Sequence, residues 1–297
     1  MFGNVFIIVA LALMLLTARV SSLSLESPRI ALVTGANKGI GKEIARKLVD
    51  ANVTTILACR SGGKEAAAEL GCKHVYLDLT NDESIHAARE YVQQEFGKLD
   101  ILINNAAICF NDPTLYGKVP YTPFEKQAEI TIRTNYFGSY QVTKSMLALL
   151  QQASTSSSPR IVNIASYAGR LLILKSKTLM DAFTAPDLTE KEIEGYMKDF
   201  VKAVETGVYA QEGWPNTCYG MSKLGLIALT RVLARDYPGI MVNSVDPGYC
   251  ATDQNNHQGI RPAERGAVTP FLLATLDESK TGFLTGKHWM DEQEIPW

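Results

Sequence analysis

A glycine-rich turn constrains this chain more than any other stretch: Thr34-Gly35-Ala36-Asn37-Lys38-Gly39-Ile40-Gly41. It follows the apolar run Ile30-Ala31-Leu32-Val33, short enough for a buried strand, and leads into residues 42–49, which have helical spacing. A strand, a tight turn without side chains and a helix start, in that order, make an anion site. The backbone can approach a pyrophosphate closely, and free N–H groups at the positive end of the helix dipole face its charge. The spacing is Gly-x-x-x-Gly-x-Gly, not the Gly-x-Gly-x-x-Gly fingerprint. Taken alone, the string also suits a plain surface turn.

The rest of the chain alternates strands and helices. Strand patterns fall at residues 29–33, 53–59, 73–78, 99–103, 161–165 and 240–245, with a last strand inside 282–290. Helical patterns cover 39–52, 63–70, 81–96, 124–150, 218–237 and 262–275. This order predicts an α/β fold with a doubly wound parallel sheet of about seven strands, Rossmann-type. Ligands in such sheets bind beyond the carboxyl ends of the strands. The 297 residues suffice for one large domain, expected over residues 28–297. Residues 151–159 are Ser-rich and read as a loop. Residues 167–217 exceed an ordinary connection. They contain a capping box, Thr189-Glu190-Lys191-Glu192, followed by Ile193, Tyr196, Met197, Phe200, Val201 and Val204 on one helical face. A helical insertion beside the site is expected, with a loosely attached surface lobe as the alternative.

Composition removes several function classes. Hydrophobic residues make up 46% and charged residues 20%, and the net charge of −2 gives no reason to expect nucleic acid as a partner. None of Cys59, Cys72, Cys109, Cys218 and Cys250 has metal-knuckle spacing, so no metal site is expected and the cysteines read as buried free thiols. The N-terminus differs from the rest. No charged side chain precedes Arg19, and residues 5–16 are uniformly apolar, shorter than the roughly 20 residues of a membrane span. Residues 1–24 therefore read as a signal peptide, an uncleaved membrane anchor or the first part of an organelle address, although no Lys or Arg precedes the apolar run. This predicts a place in the secretory pathway, the endoplasmic reticulum or another organelle, membrane-anchored if the segment is retained.

The chemistry-bearing residues cluster late in the chain. Tyr219 and Lys223 lie four apart in Tyr219-Gly220-Met221-Ser222-Lys223, on one helical face. A phenol near pKa 10 is a poor acid–base group at neutral pH, and a nearby ammonium lowers it. Such a pair also arises by chance in many helices. Ser166 ends strand five and can hydrogen-bond a substrate oxygen or merely cap the strand. Asn135 is an amide in an apolar helix, suited to a site or to a local kink.

Together these features, with Asn104-Asn105-Ala106 after strand four and Pro247-Gly248 after strand six, resemble the short-chain dehydrogenase/reductase family over roughly residues 28–297. Within it the chain is similar to the monomeric NADPH-dependent carbonyl reductases, on residues 34–41, the long insertion, Glu212-Gly213-Trp214-Pro215 and Trp297. The resemblance implies that Tyr219 protonates a carbonyl oxygen as hydride arrives from the nicotinamide. It implies that Lys223 holds the ribose and tunes Tyr219, that Ser166 polarises the carbonyl, and that Asn135 holds a relay water. It assigns Gly35, Asn37, Gly39, Ile40 and Gly41 to the pyrophosphate turn and Asp78 and Leu79 to the adenine. Asn105 falls to the adenosine side, and Pro247, Gly248 and Thr252 to the nicotinamide. The family's Asn-Asn-Ala-Gly is Asn104-Asn105-Ala106-Ala107 here, which puts an extra methyl beside the nicotinamide.

A ribose 2′-hydroxyl is usually held by a carboxylate at the end of strand two. Here that strand ends Leu57-Ala58-Cys59-Arg60, and Arg60 and Lys38 offer cations to a 2′-phosphate, so NADPH/NADP+ is expected over NADH. The expected partner is a small-molecule carbonyl substrate, reduced to an alcohol. The alternatives are an NADP-dependent alcohol or steroid dehydrogenase acting in oxidation, and a non-catalytic NADPH sensor on the same fold. A membrane-tethered structural protein leaves the four polar residues unexplained. The insertion covers the surface through which relatives assemble, so a monomer is expected.

Overall fold

The computed structural model describes residues 28–110, 121–153 and 157–297. Short apolar runs become strands here because both faces of the sheet are covered. They are β1 Ile30–Thr34, β2 Thr54–Cys59, β3 Lys73–Tyr76, β4 Ile101–Asn104, β5 Arg160–Ile164, β6 Met241–Val245, β7 His288–Met290 and β8 Gln293–Glu294. Every position of β1, β4, β5 and β6 is buried. The sheet order is β3-β2-β1-β4-β5-β6-β7-β8, parallel except for the last pair. The chain runs outward from β1 to β3 and then returns to β4, so Ala31 pairs with Thr55 on one side and Ile101 on the other. That reversal beside β1 opens a crevice at the carboxyl edge. The eighth strand is two residues long, too short to leave a pattern in the sequence.

The helices are α1 Gly39–Asp50, α2 Gly63–Leu70, α3 Asp82–Phe96, α4 Phe124–Ile132, α5 Ser139–Gln151, α6 Lys177–Thr184, α7 Glu190–Glu205, α8 Cys218–Asp236, α9 Ala263–Gly266, α10 Val268–Thr275 and α11 Glu278–Thr281. Alternate residues of one strand feed opposite cores, as a period of two requires. Leu32, Ile56 and Leu102 face a core shared with α3, α4, α5, α7 and α8. Ala31, Val33, Leu57 and Ile103 face one shared with α1, α2 and α10. The helix expected over 124–150 is interrupted. Arg133–Gly138 forms a π-helical turn between α4 and α5. Gly138 allows this turn to press on the next layer: a Cβ there would lie 2.6 Å from the Leu79 Cβ.

The insertion belongs to the core. Its capping box is formed, with Glu192 N donating to Thr189 Oγ1 (3.2 Å) and Thr189 N donating to Glu192 Oε2 (2.8 Å). Ile193, Met197, Phe200 and Val204 are fully buried, and Tyr196 and Val201 pack against the same core. The helix α7 lies against α4 and α8. Gly225 of α8 makes the approach possible, since a Cβ there would sit 2.8 Å from the Met197 Sδ. A loosely attached lobe is therefore not what residues 167–217 form.

The N-terminal expectation needs correction. Residues 1–24 lie outside the described residues, and among the described residues no helix is long and apolar enough to cross a membrane. The apolar run at 5–16 falls short of the roughly 20 residues of a span. The secretory or organellar placement and the membrane attachment read from it are accordingly withdrawn.

Phe200 is fully buried in the core that the insertion shares with the body, and its ring stands 6.0 Å from that of Trp214 within the insertion. Truncation in such a site costs about 3–5 kcal/mol. Phe200→Ala should therefore lower the urea midpoint strongly in a single transition. A loss under about 1 kcal/mol would mean that the insertion is not part of the cooperative core.

Candidate active site

The crevice beside β1 is a cleft of about 480 Å³. One wall is the glycine turn. Gly35 and Gly39 have φ of +64° and +58°, a region costly for residues with a Cβ. A side chain on Gly35 would also collide with Ala106, 2.9 Å from where its Cβ would lie. No side chain caps the start of α1, so its first N–H groups are left to whatever the cleft holds. Asn105 locks this turn. Its Nδ2 donates to Thr34 O (2.9 Å) and Gly35 O (3.2 Å). Thr34 Oγ1 in turn accepts from the Asn105 and Ala106 amides, each at 3.0 Å. The Asn105 side-chain amide thus works as a clamp on the turn, and the residue also lines the cleft.

Asn37, Lys38, Ile40, Gly41, Arg60, Asp78, Leu79, Pro247 and Thr252 also line the cleft. The two expected cations are not equivalent. Lys38 Nζ is paired with Asp253 at 2.6 Å, which joins the glycine turn to the loop after β6. Arg60 is exposed, with only a 3.9 Å approach to Asp78. Burial works to raise the Asp78 carboxyl, yet hydrogen bonds from Thr80 and the Arg60 and Arg133 charges hold it below its usual range. Gly248 does not line the cleft. Its φ of +77° and its N–H to Asp246 Oδ1 (2.9 Å) shape the turn beneath Pro247.

The opposite end carries Tyr219 and Lys223. Thr217 caps α8 by accepting from Gly220 N (3.0 Å), which sets Tyr219 in the first helical turn. Lys223, one turn on, is 3% exposed, and its Nζ donates to Ile164 O at 2.7 Å. The ammonium stands 5.5 Å from the Tyr219 ring centre. Ser166 follows β5, and Tyr219 hydrogen-bonds with both Ser166 and Gln254. Gly169 lets the Ser166 turn rest on α8: its Cβ would be 2.7 Å from the Leu224 amide nitrogen. Trp297 holds that turn from outside, donating from Nε1 to Gly169 O (3.2 Å).

Asn135 lies behind the cleft in the π turn. It accepts from Ile108 N (2.8 Å), donates to Ile108 O (2.9 Å), and donates to Ser222 Oγ (3.1 Å). Ser222 donates in turn to Tyr219 O at 2.7 Å. The amide therefore joins the loop after β4 to the tyrosine helix and is not spent on its own turn.

The electrostatics depart from expectation in one respect. Burial pushes the Tyr219 phenol well above its usual range; Cys109 and Asp246 push the same way, and the Gln254 and Ser166 hydrogen bonds oppose them. Burial also lowers Lys223 to about 8, while Cys109 acts to raise it. Desolvation is the largest of these effects, and it keeps the phenol protonated although the Lys223 ammonium stands 5.5 Å from its ring centre.

Two family profiles match the chain: short chain dehydrogenase over residues 29–176, and enoyl-(acyl carrier protein) reductase over residues 181–268. Carbonyl reductase (NADPH) 1 of Rattus norvegicus is 36% identical over 285 residues, covering 90% of this chain and 98% of that protein. The chain belongs to the short-chain dehydrogenase family. Among solved structures, salutaridine reductase from Papaver somniferum superposes with a TM-score of 0.78 at 30% identity, covering 89% of this chain and 99% of that one. Menthone neomenthol reductase from Mentha piperita gives 0.75 at 30% identity, with the same coverage.

Within this family fold the sequence reading overlooked a buried amide chain beneath the site. Asn104 Nδ2 donates to Thr143 Oγ1 (2.9 Å) and Asn163 Oδ1 (2.8 Å), and Asn163 Nδ2 donates to Thr230 Oγ1 (2.8 Å). Asn163 inside an apolar strand was the available signal. Cys109, in the loop after β4, also lines the cleft and left no periodic signal, as does Gln254 in the 3-10 turn Asp253–Asn255, a residue that the sequence already places over the substrate.

Asn135→Ala should leave the Ile108 N–H and C=O without partners, at a cost of about 1–3 kcal/mol. Hydrogen exchange at Ile108 should quicken by at least about tenfold. Unchanged protection there would remove Asn135 from its bridging role.

Proposed function

We propose that this chain is an NADPH-dependent enzyme that reduces a ketone, aldehyde or quinone carbonyl to an alcohol, with Tyr219 as proton donor. One observation carries the reading. A half-buried phenol, kept protonated by desolvation and hydrogen-bonded to Ser166, stands at one end of a cleft whose other end is a glycine turn before an uncapped helix. The likeness to carbonyl reductase (NADPH) 1 supports the cofactor and the carbonyl substrate.

The residues present fit the cofactor. A side chain on Gly35 would fill the cradle, and the free N–H groups of α1 suit a pyrophosphate. Gly35, Asn37, Gly39, Ile40 and Gly41 would hold it there. Arg60, weakly paired, would meet the 2′-phosphate, and Lys38 would join it by exchanging Asp253 for phosphate. Asp78 and Leu79 would flank the adenine. Pro247 and Thr252 would close the nicotinamide end, and Lys223 would reach the ribose. NADPH supplies the hydride when bound. Ser166 orients the carbonyl oxygen, and Tyr219 delivers a proton to it. Buried Lys223, lowered toward neutrality, keeps positive charge near that oxygen as it becomes negative. Asn135 holds the α8 start and the relay position behind it. Residues 28–297 act as one domain in this reading.

The test follows consumption of NADPH and NADH with a panel of quinones and aromatic aldehydes, for wild type and Tyr219→Phe. NADPH should be preferred by at least about tenfold, and Tyr219→Phe should lose about 10²–10⁴-fold in rate. A preference for NADH would overturn the role of Arg60. A fully active Tyr219→Phe would overturn proton donation by the phenol.

The chain acts as a monomer in this reading, because α7 occupies the surface of α4 and α8 that a second copy would need. Sedimentation at micromolar protein should give a mass near 32.6 kDa. A mass twice that would refute it.

A further inference from the structure

The loop after β6 is tied to itself before it reaches the glycine turn. At its neck Ala251 N donates to Arg261 O (2.7 Å) and Arg261 N donates to Tyr249 O (3.1 Å). Inside it Asn255 Nδ2 donates to Cys250 O (2.9 Å), and Thr252 N donates to Asn255 Oδ1 (3.2 Å). The Arg261 guanidinium grips both oxygens of Asp291 (2.6 and 2.9 Å), which fixes the neck to the turn between β7 and β8. The tip of the loop then meets the glycine turn. Lys38 Nζ donates to Asp253 Oδ2 at 2.6 Å, and a Cβ on Gly39 would stand 3.4 Å from the Thr252 Cγ2. Both partners of the ion pair line the cleft.

Lys38 also borders the segment that follows β2. A Cβ on Gly62 would lie 3.5 Å from Nδ2 of Asn37, the residue before Lys38, and Arg60 is two residues before Gly62. The ammonium is thus carried between Asp253 on one loop and Arg60 on another. The Lys38 and Asp253 side chains are 61% and 54% exposed, so solvent leaves them room to part. A lysine charge rides on a flexible stem and can change partners without repacking. Asp253 keeps a neighbour when Lys38 leaves, since His257 Nε2 stands 3.1 Å from its Oδ1. An ammonium that closed on a carboxylate and a phosphate together would bring two anions against each other.

We propose that Asp253 is a specificity-determining residue: it competes with the cofactor's 2′-phosphate for the Lys38 ammonium, so NADPH opens an ion pair that NADH leaves closed. This inference rests on the NADPH-dependent reading and deepens its cofactor half. Asp253 holds the preference for NADPH below what Arg60 and Lys38 together would give. In return it takes Lys38 back as the spent cofactor departs, which eases release.

The sign of the effect separates competition from its opposite. If Asp253 instead oriented Lys38 toward the phosphate, its loss would weaken NADPH binding. Under competition, Asp253→Asn frees Lys38 and tightens it. The experiment measures the Kd of NADPH and of NADH by cofactor fluorescence, using the full chain as wild type, Asp253→Asn, Lys38→Met and the double variant. The ionic strength is about 0.15 M, where exposed charges more than about 8 Å apart are largely screened. Asp253→Asn should raise the ratio of NADPH to NADH affinity about threefold, the scale of one exposed ion pair. In the Lys38→Met background the same substitution should leave that ratio unchanged.

A ratio that stays put or falls in Asp253→Asn would overturn the proposal. So would an equal rise without Lys38, which would mark a general charge effect. Both results leave the cofactor reading standing, because wild type still binds NADPH. A wild type that fails to bind NADPH would overturn that reading, and this inference with it.

Discussion

The bond from the Lys223 ammonium to the Ile164 carbonyl organises the site. It is 2.7 Å long and buried, and it joins the first turns of α8 to the carboxyl end of β5. A buried ammonium needs such a partner, because its desolvation is otherwise uncompensated. The bond therefore fixes the rotation of α8 about its axis. Tyr219, one turn earlier, then has one place to point. The Ser166 turn can rest on the same helix only because Gly169 has no side chain. A charge that must be satisfied and a helix that must be approached closely thus set where the Tyr219 phenol stands.

Other site residues follow a related logic. Strand ends at the carboxyl edge of a parallel sheet leave backbone groups that need partners. Asn105 serves Thr34 and Gly35, Asn135 serves Ile108, and Asp246 serves Gly248. Each polar side chain satisfies a neighbouring loop and thereby holds it at a set distance from the cleft. Rigidity of the edge and chemistry of the site come from the same hydrogen bonds. This is why a change in one amide is felt in a loop on another strand.

Much of this was legible in the sequence. The glycine turn could be placed because glycine at positive φ and a strand-to-helix order leave a plain trace. Tyr219 and Lys223 could be placed because helical spacing determines which residues share a face. The insertion helix announced itself through Thr189 and Glu192. What escaped depends on contacts between distant segments. The Lys38 pairing with Asp253 joins residues 215 apart in the chain. The rise of the Tyr219 phenol under desolvation is a property of the folded cleft, and no spacing encodes it. The π turn was hidden because its residues fit an α-helical pattern equally well. The N-terminal apolar run misled for a different reason: composition there described a local propensity and not a place for the protein.

The π turn at Arg133–Gly138 has a consequence for chain length. Such a turn accommodates one residue more than an α-helical turn would. Removing that residue would let the turn close to α-helical geometry with the helices on either side kept in register, so Val142, Met146 and Leu149 would stay in the core they fill. What would go is the widened turn that sets Asn135 between Ile108 and Ser222. The core of this segment can therefore tolerate a residue count that its site cannot.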